Sequence, residues 1–488
     1  MLFNSYIFIF CFLPIAAIGF FALSRFHLQK IAFLWLAFTS LFFYGYWNVS
    51  YLPLFIISIS INYTLGKTIE RVQNSRFFLV LGIIFNLGLL GYFKYSQFFL
   101  DSFHQVFNFQ VPEVNIILPL AISFYSFTQI AYLVDAYRGQ TKVHHYNLLS
   151  YSLFISFFPQ LIAGPILRYN ELVPQFQKSQ LFILSQKNIA MGLTLFILGL
   201  SKKVAIADNL SPWVANIFQN PNDITILEAW LGSLAYTLQL YFDFSGYSDM
   251  AIGLGWLFNI HLPINFNSPY KAISIIDFWR RWHITLSHFL RDYLYIPLGG
   301  NRLGKIRQYL NLMITMLLGG LWHGAGWTFI IWGGLHGSLL VINNIWRGSQ
   351  WQFSRILGWF LTFFIVVLGW VIFRASNLKD AIEIIQTMLG INSIILPSSY
   401  QTIVEFIFPF TSFQYQGWSQ FSHFPDIGFQ KSILVIFCLI FGVVFLPNTQ
   451  EIMERFKPTL PVAFCIGLLA TFCLISLNQV SEFLYFQF

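Results

Sequence analysis

Charge is scarce in this sequence. Only 9% of its 488 residues are charged, against 57% hydrophobic and 20% aromatic. A soluble domain carries roughly 25% charged residues, so this chain cannot cover a water-facing surface. The patterns of several familiar soluble chemistries are missing too: there is no P-loop, dinucleotide fingerprint or nucleophile elbow. The four cysteines, Cys11, Cys438, Cys465 and Cys473, sit in apolar stretches in no metal-like spacing. The histidines also lack close H-x-x-x-H or carboxylate spacing, so no metal site is expected. The excess of eight positive charges is spread over short loops, as in a membrane protein, and gives no nucleic-acid signal. No fixed repeat, low-complexity linker or cleavable signal is evident. The first apolar run starts at Leu2 with no basic residue before it, and reads as a retained helix.

Long uncharged runs are what the sequence does have: 1–24, 31–66, 77–93, 143–167, 308–346 and 356–373. A membrane-spanning helix needs about 20 mostly apolar residues, which gives about ten to twelve membrane segments, some short or re-entrant. Basic residues cluster in alternate loops: Arg25 and Lys30, then Lys67, Arg71 and Arg76, then Arg138 and Lys142. Placing these in the cytoplasm puts the N-terminus outside the cell's inner membrane, and keeps Lys202, Lys203 and the basic block 280–307 on the cytoplasmic side. The segment 375–430 is then external, read as amphipathic helices broken by Pro397, Pro409 and Pro425. Spans at 432–446 and 459–479 leave the C-terminal tail extracytoplasmic as well. The chain is expected to form one lipid-embedded domain over 1–488, with peripheral spans at 1–110. A core at 115–345 holds most of the unusual polar residues, and 346–488 carries the external segment, last spans and tail. This asymmetry argues against a transporter of two equivalent halves.

His323 stands out among those polar residues. It lies in Gly319-Gly320-Leu321-Trp322-His323-Gly324-Ala325-Gly326, within a stretch (308–346) free of Asp, Glu, Lys and Arg. A histidine about 15 residues into a span sits near mid-membrane, where an ionisable group is a functional-site candidate by default. The glycines allow close approach or a helix break. The bland reading is a histidine that only hydrogen-bonds neighbouring helices. In the segment Ile276–Leu294, Ile276, Trp279, His283, Ser287, Leu290 and Leu294 form one stripe of a predicted amphipathic helix. Arg280, Arg281, His288 and Arg291 form the adjacent face, suited to lipid headgroups or a phosphate-bearing ligand. His283 is on the apolar side and points into protein.

Two further segments are polar where lipid would not tolerate it. Tyr241 through Asp249, with Asp243, Tyr247 and Asp249, is followed by Asn265, Asn267, Pro269 and Tyr270. These residues can shape a polar passage, orient the histidines or simply pack. Pro159 and Pro165 interrupt the run Phe158–Arg168, which predicts a bent or re-entrant element. His336 is another candidate; on one continuous helix it would point about 140° from His323. His27, His104, His144, His145 and His423 read as solvated. A histidine in a dry pocket can act as general base for a hydroxyl attacking a thioester.

At these residues the sequence resembles the membrane-bound O-acyltransferase (MBOAT) family. It is similar in particular to the bacterial branch holding the alginate O-acetylation and teichoic-acid D-alanyl transfer proteins. The resemblance runs over roughly 115–345 and is carried by Phe158-Pro159, Gly164-Pro165-Ile166 and Arg168, Asp243 through Asp249, Asn265-Phe266 and Pro269-Tyr270. It continues through Phe278 to Ser287, Tyr295 to Gly300, and Gly320 to Ala325. It implies an all-α ring of helices around a thinned central funnel. His323 matches the family's catalytic histidine and His283 the second histidine of the branch. With Trp322, the residues Trp279, Arg280, Arg281, Ser287, Asp243, Tyr247, Asp249 and Asn265 are the candidates for binding substrate.

The implied donor is acetyl-CoA, with no bound cofactor, drawn by Arg280, Arg281, Arg291, Arg302, Lys305 and Arg307. The segment Ser481–Phe488 resembles the branch's tyrosine-bearing C-terminal motif, so Tyr485 is expected to receive the acyl group. An extracytoplasmic hydrolase-like acetyltransferase partner would pass it to a polysaccharide. An interfacial aromatic anchor is the bland reading of that tail. The alternatives are D-alanyl transfer to teichoic acid from a carrier protein, and a polytopic transporter.

Overall fold

In hydrocarbon every backbone N–H and C=O needs a partner within the protein, so an apolar chain of this kind winds into helices. The structure, a computed structural model, describes all residues except 108–115, 144, 163, 349–352, 393, 408–412, 425–427, 478–483 and 485–488. Six of its helices are long and apolar enough to cross a membrane: Phe8–Arg25, Val49–Arg71, Ser75–Phe107, Gln186–Gln219, Trp327–Trp346 and Arg355–Arg374. Shorter apolar helices run over Phe429–Phe445 and Leu460–Ser476. Among the described residues, strand is confined to the parallel pair Ile395–Pro397 and Gln414–Gln416. The chain is an all-α polytopic membrane protein. Some of the apolar runs divide into shorter elements. The run 143–167, for example, becomes Leu148–Ser156 and the buried turn Phe158–Leu161, followed by irregular chain.

The helix Ile226–Leu257 is the axis of the core. Its start is fixed by a capping box in which Thr225 and Glu228 exchange backbone and side-chain hydrogen bonds. Nearly all of its residues are buried, the pattern of a helix surrounded by protein. Glycines let it lie directly on Gln186–Gln219. A Cβ at Gly199 would stand 2.5 Å from the Gly246 carbonyl oxygen, and one at Gly253 2.6 Å from that of Gly192.

Beside this contact the two helices share buried charges. Lys203 Nζ lies 2.6 Å from Asp243 and 2.8 Å from Asp208, and Lys202 Nζ lies 2.6 Å from Asp249. Lys202 and Lys203 are thus held in ion pairs within the protein. They sit inside one helical stretch, in a π turn at Lys202–Ala207, with Lys203 only 1% exposed. One of the carboxylates that hold them, Asp208, lies in the same stretch; the other two, Asp243 and Asp249, come from a helix some forty positions away.

The segment Ile276–Leu294 is not one helix. It divides into Ile275–Arg281 and Ile284–Leu290, followed by a π turn at Arg291–Tyr295. At the break Trp282 is extended and His283 is left-handed, with φ 43° and ψ 55°. The expected stripe thus belongs to two helices with different axes. The segment after Arg374 contains the amphipathic helix Leu378–Met388 and the short helix Gln401–Ile407. Pro409 and Pro425 lie outside the described residues. This segment docks on the start of the axial helix, where Trp230 Nε1 donates to the Met388 carbonyl (2.8 Å) and His423 Nδ1 meets Glu228 (2.9 Å). His423 is accordingly a docked side chain and not a solvated one. Tyr6 Oη donates to the Leu474 carbonyl (2.7 Å), so the chain entering the first helix lies beside the end of Leu460–Ser476.

The glycine contact gives a direct test. Gly199→Leu should cost about 1–3 kcal/mol by overpacking, seen as a lower thermal midpoint in detergent. An unchanged midpoint would mean that the two helices do not meet as described.

Candidate active site

His323 is the last residue of the helix Lys305–His323. Gly324 and Gly326 are extended, and a new helix begins at Trp327, so the glycine-rich segment breaks the helix immediately after the histidine. The two halves close on each other at Gly320 and Gly333, where any Cβ would strike the Phe329 or Met316 carbonyl. Such a break leaves the final carbonyls of the first helix without intrahelical partners. Three are met from outside. Tyr95 Oη donates to the Leu321 carbonyl (2.9 Å), and Lys94 Nζ donates to those of Trp322 (2.7 Å) and His323 (3.1 Å).

His283 reaches the same place from another direction. Its left-handed backbone is uncommon for a residue with a Cβ, and such strain persists only where surrounding contacts enforce it. Here Asn265 enforces it. The Asn265 side-chain oxygen accepts from Thr285 N (3.2 Å), Thr285 Oγ1 (3.0 Å) and His283 Nδ1 (3.1 Å), while its backbone carbonyl accepts from Ile284 N (3.0 Å). A backbone N–H can only donate, so the Asn265 atom facing it is the oxygen. An amide oxygen can only accept, so His283 carries its proton on Nδ1 and its Nε2 is the lone-pair nitrogen. Thr285 Oγ1 also accepts from Ile166 N (3.0 Å), which ties in the irregular chain after Pro159.

The two imidazoles lie 6.4 Å apart, centroid to centroid. Aromatic rings wall them in: Phe244 is 4.8 Å from His283, while Trp322, Trp332 and Phe373 are 5.0, 5.2 and 5.4 Å from His323. His283 is fully buried and His323 is 5% exposed. Water is largely excluded around two imidazoles, side chains that can hold or pass a proton: the arrangement suits general-base chemistry.

Of the candidates for binding substrate, Trp322 and Asn265 lie beside the two histidines. Trp279 instead donates to His336 Nδ1 (3.3 Å), and the Trp332 ring lies between His336 and His323. Ser287 Oγ donates to the Trp282 carbonyl (3.4 Å). Asp243 and Asp249 are committed to Lys203 and Lys202, and Tyr247 Oη to Asn4, so these three are not brought to the imidazoles. The neighbouring Phe244 is. Tyr485 lies outside the described residues. The backbone N–H of Leu484, a buried residue, donates to Asp243 (3.1 Å).

The arginine patch is partly neutralised. Arg281 pairs with Asp277 (2.8 Å), and Asp292 is held by both Arg291 (2.6 Å) and Arg168. Burial would raise the Asp292 pKa, but its bonds to the two guanidinium groups hold it below the ordinary carboxylate value. Arg280, Arg302, Lys305 and Arg307 remain exposed. A groove of about 1000 Å³, lined by apolar side chains such as Leu13, Phe196 and Leu474 with Arg25, is lined by none of the histidines. Its lining suits lipid chains. Lys94 and Tyr95 went unnoticed in the sequence, although Lys94 is the one charged residue between Arg76 and Asp101.

A polytopic helical membrane protein with an imidazole pair in a dry aromatic chamber is a membrane-embedded enzyme in outline. Residues 47–378 match the family model of the membrane-bound O-acyltransferases, and the chain belongs to that family. The chain is 43% identical to the peptidoglycan O-acetyltransferase of Helicobacter pylori, over 100% of this chain and 98% of the relative. It is 46% identical to the probable alginate O-acetylase AlgI of Pseudomonas aeruginosa, over 80% of this chain and 75% of that protein. Likeness to the teichoic acid D-alanyltransferase of Bacillus subtilis is 29%, over 54% of this chain and 71% of that one.

Asn265→Leu leaves the His283 and Thr285 donors in a buried site without their acceptor. It should cost about 1–3 kcal/mol per stranded donor and lower acyl transfer together with the thermal midpoint. Retention of both would remove Asn265 from the site.

Proposed function

We propose that this enzyme moves acetyl groups from cytoplasmic acetyl-CoA across the membrane, for O-acetylation of an extracytoplasmic polysaccharide. The observation that carries the reading is the pair of buried imidazoles, His323 and His283, 6.4 Å apart within one aromatic chamber. His323 takes the proton of an attacking hydroxyl, the oxygen adds to the thioester carbonyl, the C–S bond breaks, and the proton passes to the departing thiolate. His283, fixed by Asn265, provides the second nitrogen facing the reacting groups, and Trp322 closes the chamber wall. Arg280, with Arg302, Lys305 and Arg307, attracts the phosphates of the donor from the cytoplasmic side.

The acceptor hydroxyl is that of Tyr485. In support, Leu484, one peptide unit before it, is buried and bonded to Asp243, which brings the chain into the protein interior. An extracytoplasmic hydrolase-like acetyltransferase then moves the acetyl group from the tyrosine ester to a sugar hydroxyl. Acetyl is favoured over D-alanyl because the relatives named for O-acetylation are 43–46% identical over most of this chain, against 29% for the teichoic acid protein. The peptidoglycan enzyme matches over the full chain, so peptidoglycan stands beside alginate-type polymers as acceptor.

Radiolabelled acetyl-CoA tests the route. Purified protein should acquire label on Tyr485. His323→Ala should slow labelling by about a hundredfold or more, and Tyr485→Phe should abolish it. Muropeptide and exopolysaccharide ester analysis of cells carrying each variant identifies the polymer. Unchanged surface acetylation in His323→Ala cells would end the proposal.

A further inference from the structure

The helix Ser75–Phe107 contains a π turn over Gly91–Tyr95. A π turn inserts an extra residue into a helix and often marks a functional position. Both hydrogen-bonding side chains at its end, Lys94 and Tyr95, reach the same target. Tyr95 takes the carbonyl of Leu321, and Lys94 those of Trp322 and His323. Successive residues fan out by about 100° around a helix, and so do the successive carbonyls at a helix end. Two adjacent donors on one helix thus match three adjacent acceptors on the other. A third contact of Lys94 Nζ, to Ser123 Oγ (3.4 Å), sets its approach. A lysine in the apolar part of a membrane helix is costly unless it has such partners, and the C-terminal end of a helix favours a cation.

We propose that Lys94 and Tyr95 are positioning residues for His323. They hold the open end of its helix where the glycine break would otherwise let the last turn fray, and so fix the imidazole against the reacting groups. Their hydrogen bonds go to the backbone carbonyls of the helix end, and it is through that backbone that both act. The inference rests on the reading of His323 as the base. A small displacement of a catalytic group lowers turnover more than it lowers binding.

Single-turnover kinetics with acetyl-CoA, reading thiol release as the full-length protein in proteoliposomes acetylates Tyr485, tests this; the limiting rate stands for kcat and the half-saturating concentration for KM. Lys94→Met should lower kcat about tenfold or more, with KM for acetyl-CoA within about twofold of wild type. Lys94→Gln, whose amide can donate to two carbonyls, should recover part of that loss, a rescue that loss of packing alone would not give. Tyr95→Phe, which removes one hydroxyl, should give a smaller fall in kcat and leave the thermal midpoint close to wild type. If Lys94→Met retains wild-type kcat, or raises KM at unchanged kcat, the positioning role is overturned. A Lys94→Gln variant no better than Lys94→Met also counts against it, and the near-isosteric Tyr95→Phe keeps the test open should Lys94→Met not fold. His323→Ala runs alongside. If it turns over normally, the functional reading fails; if it is inactive while Lys94→Met is not, only the positioning inference fails.

Discussion

Backbone polar groups that leave a regular helix inside a membrane have no water to turn to, and the whole centre of this protein is arranged around that constraint. The chain departs from helix at three places near the histidines: after His323, between Arg281 and Ile284, and after Leu161. Each departure is met by side chains from another segment. Lys94 and Tyr95 cover the first, Asn265 the second, and Thr285 takes Ile166 N at the third. Because Thr285 itself leans on Asn265, the last two are one network. The irregular backbone that lets imidazoles into the chamber is the same backbone that demands these partners.

Two kinds of polar cluster result, and they do different work. Around Lys203, opposite charges lie within 3 Å of each other and are committed to holding two helices together. Around His283 and His323, hydrogen bonds fix one imidazole and the backbone of the other, while aromatic rings exclude water. The first arrangement resists change in charge; the second leaves ring nitrogens able to exchange a proton. Lys203 and His283 meet the same turn of the axial helix, through its Asp243 and Phe244 respectively, yet belong to these two different systems.

Much of this was legible in the sequence. The membrane class follows from composition, and the spans 356–373 and 432–446 fall within a residue or a few of helices. His323 was readable because an ionisable group stood deep in a long stretch free of Asp, Glu, Lys and Arg, and the glycines beside it announced the break. The stripe through His283 was misread because helical periodicity carries no information about one left-handed residue. Its inward direction survived only because Asn265 and Thr285 turn it inward by another route. The pairing of Lys202 and Lys203 was not legible, because sequence shows a charge without its distant partner. Lys94 was missed because it lies one residue past the end of an apolar run, where it resembles an ordinary flanking lysine.

The buried lysine–aspartate pairs also bear on how the chain enters the bilayer. The stretch Gln186–Gln219 carries Lys202, Lys203 and Asp208 near its middle, a poor candidate for partitioning into lipid alone. Its neutralising carboxylates, Asp243 and Asp249, emerge from the ribosome only later in synthesis. Lipid is least costly for these charges when the two helices enter it together, as a hairpin whose lysines and carboxylates are already paired. Glycine contacts and ion pairs that look like static packing thus favour joint insertion over insertion one helix at a time.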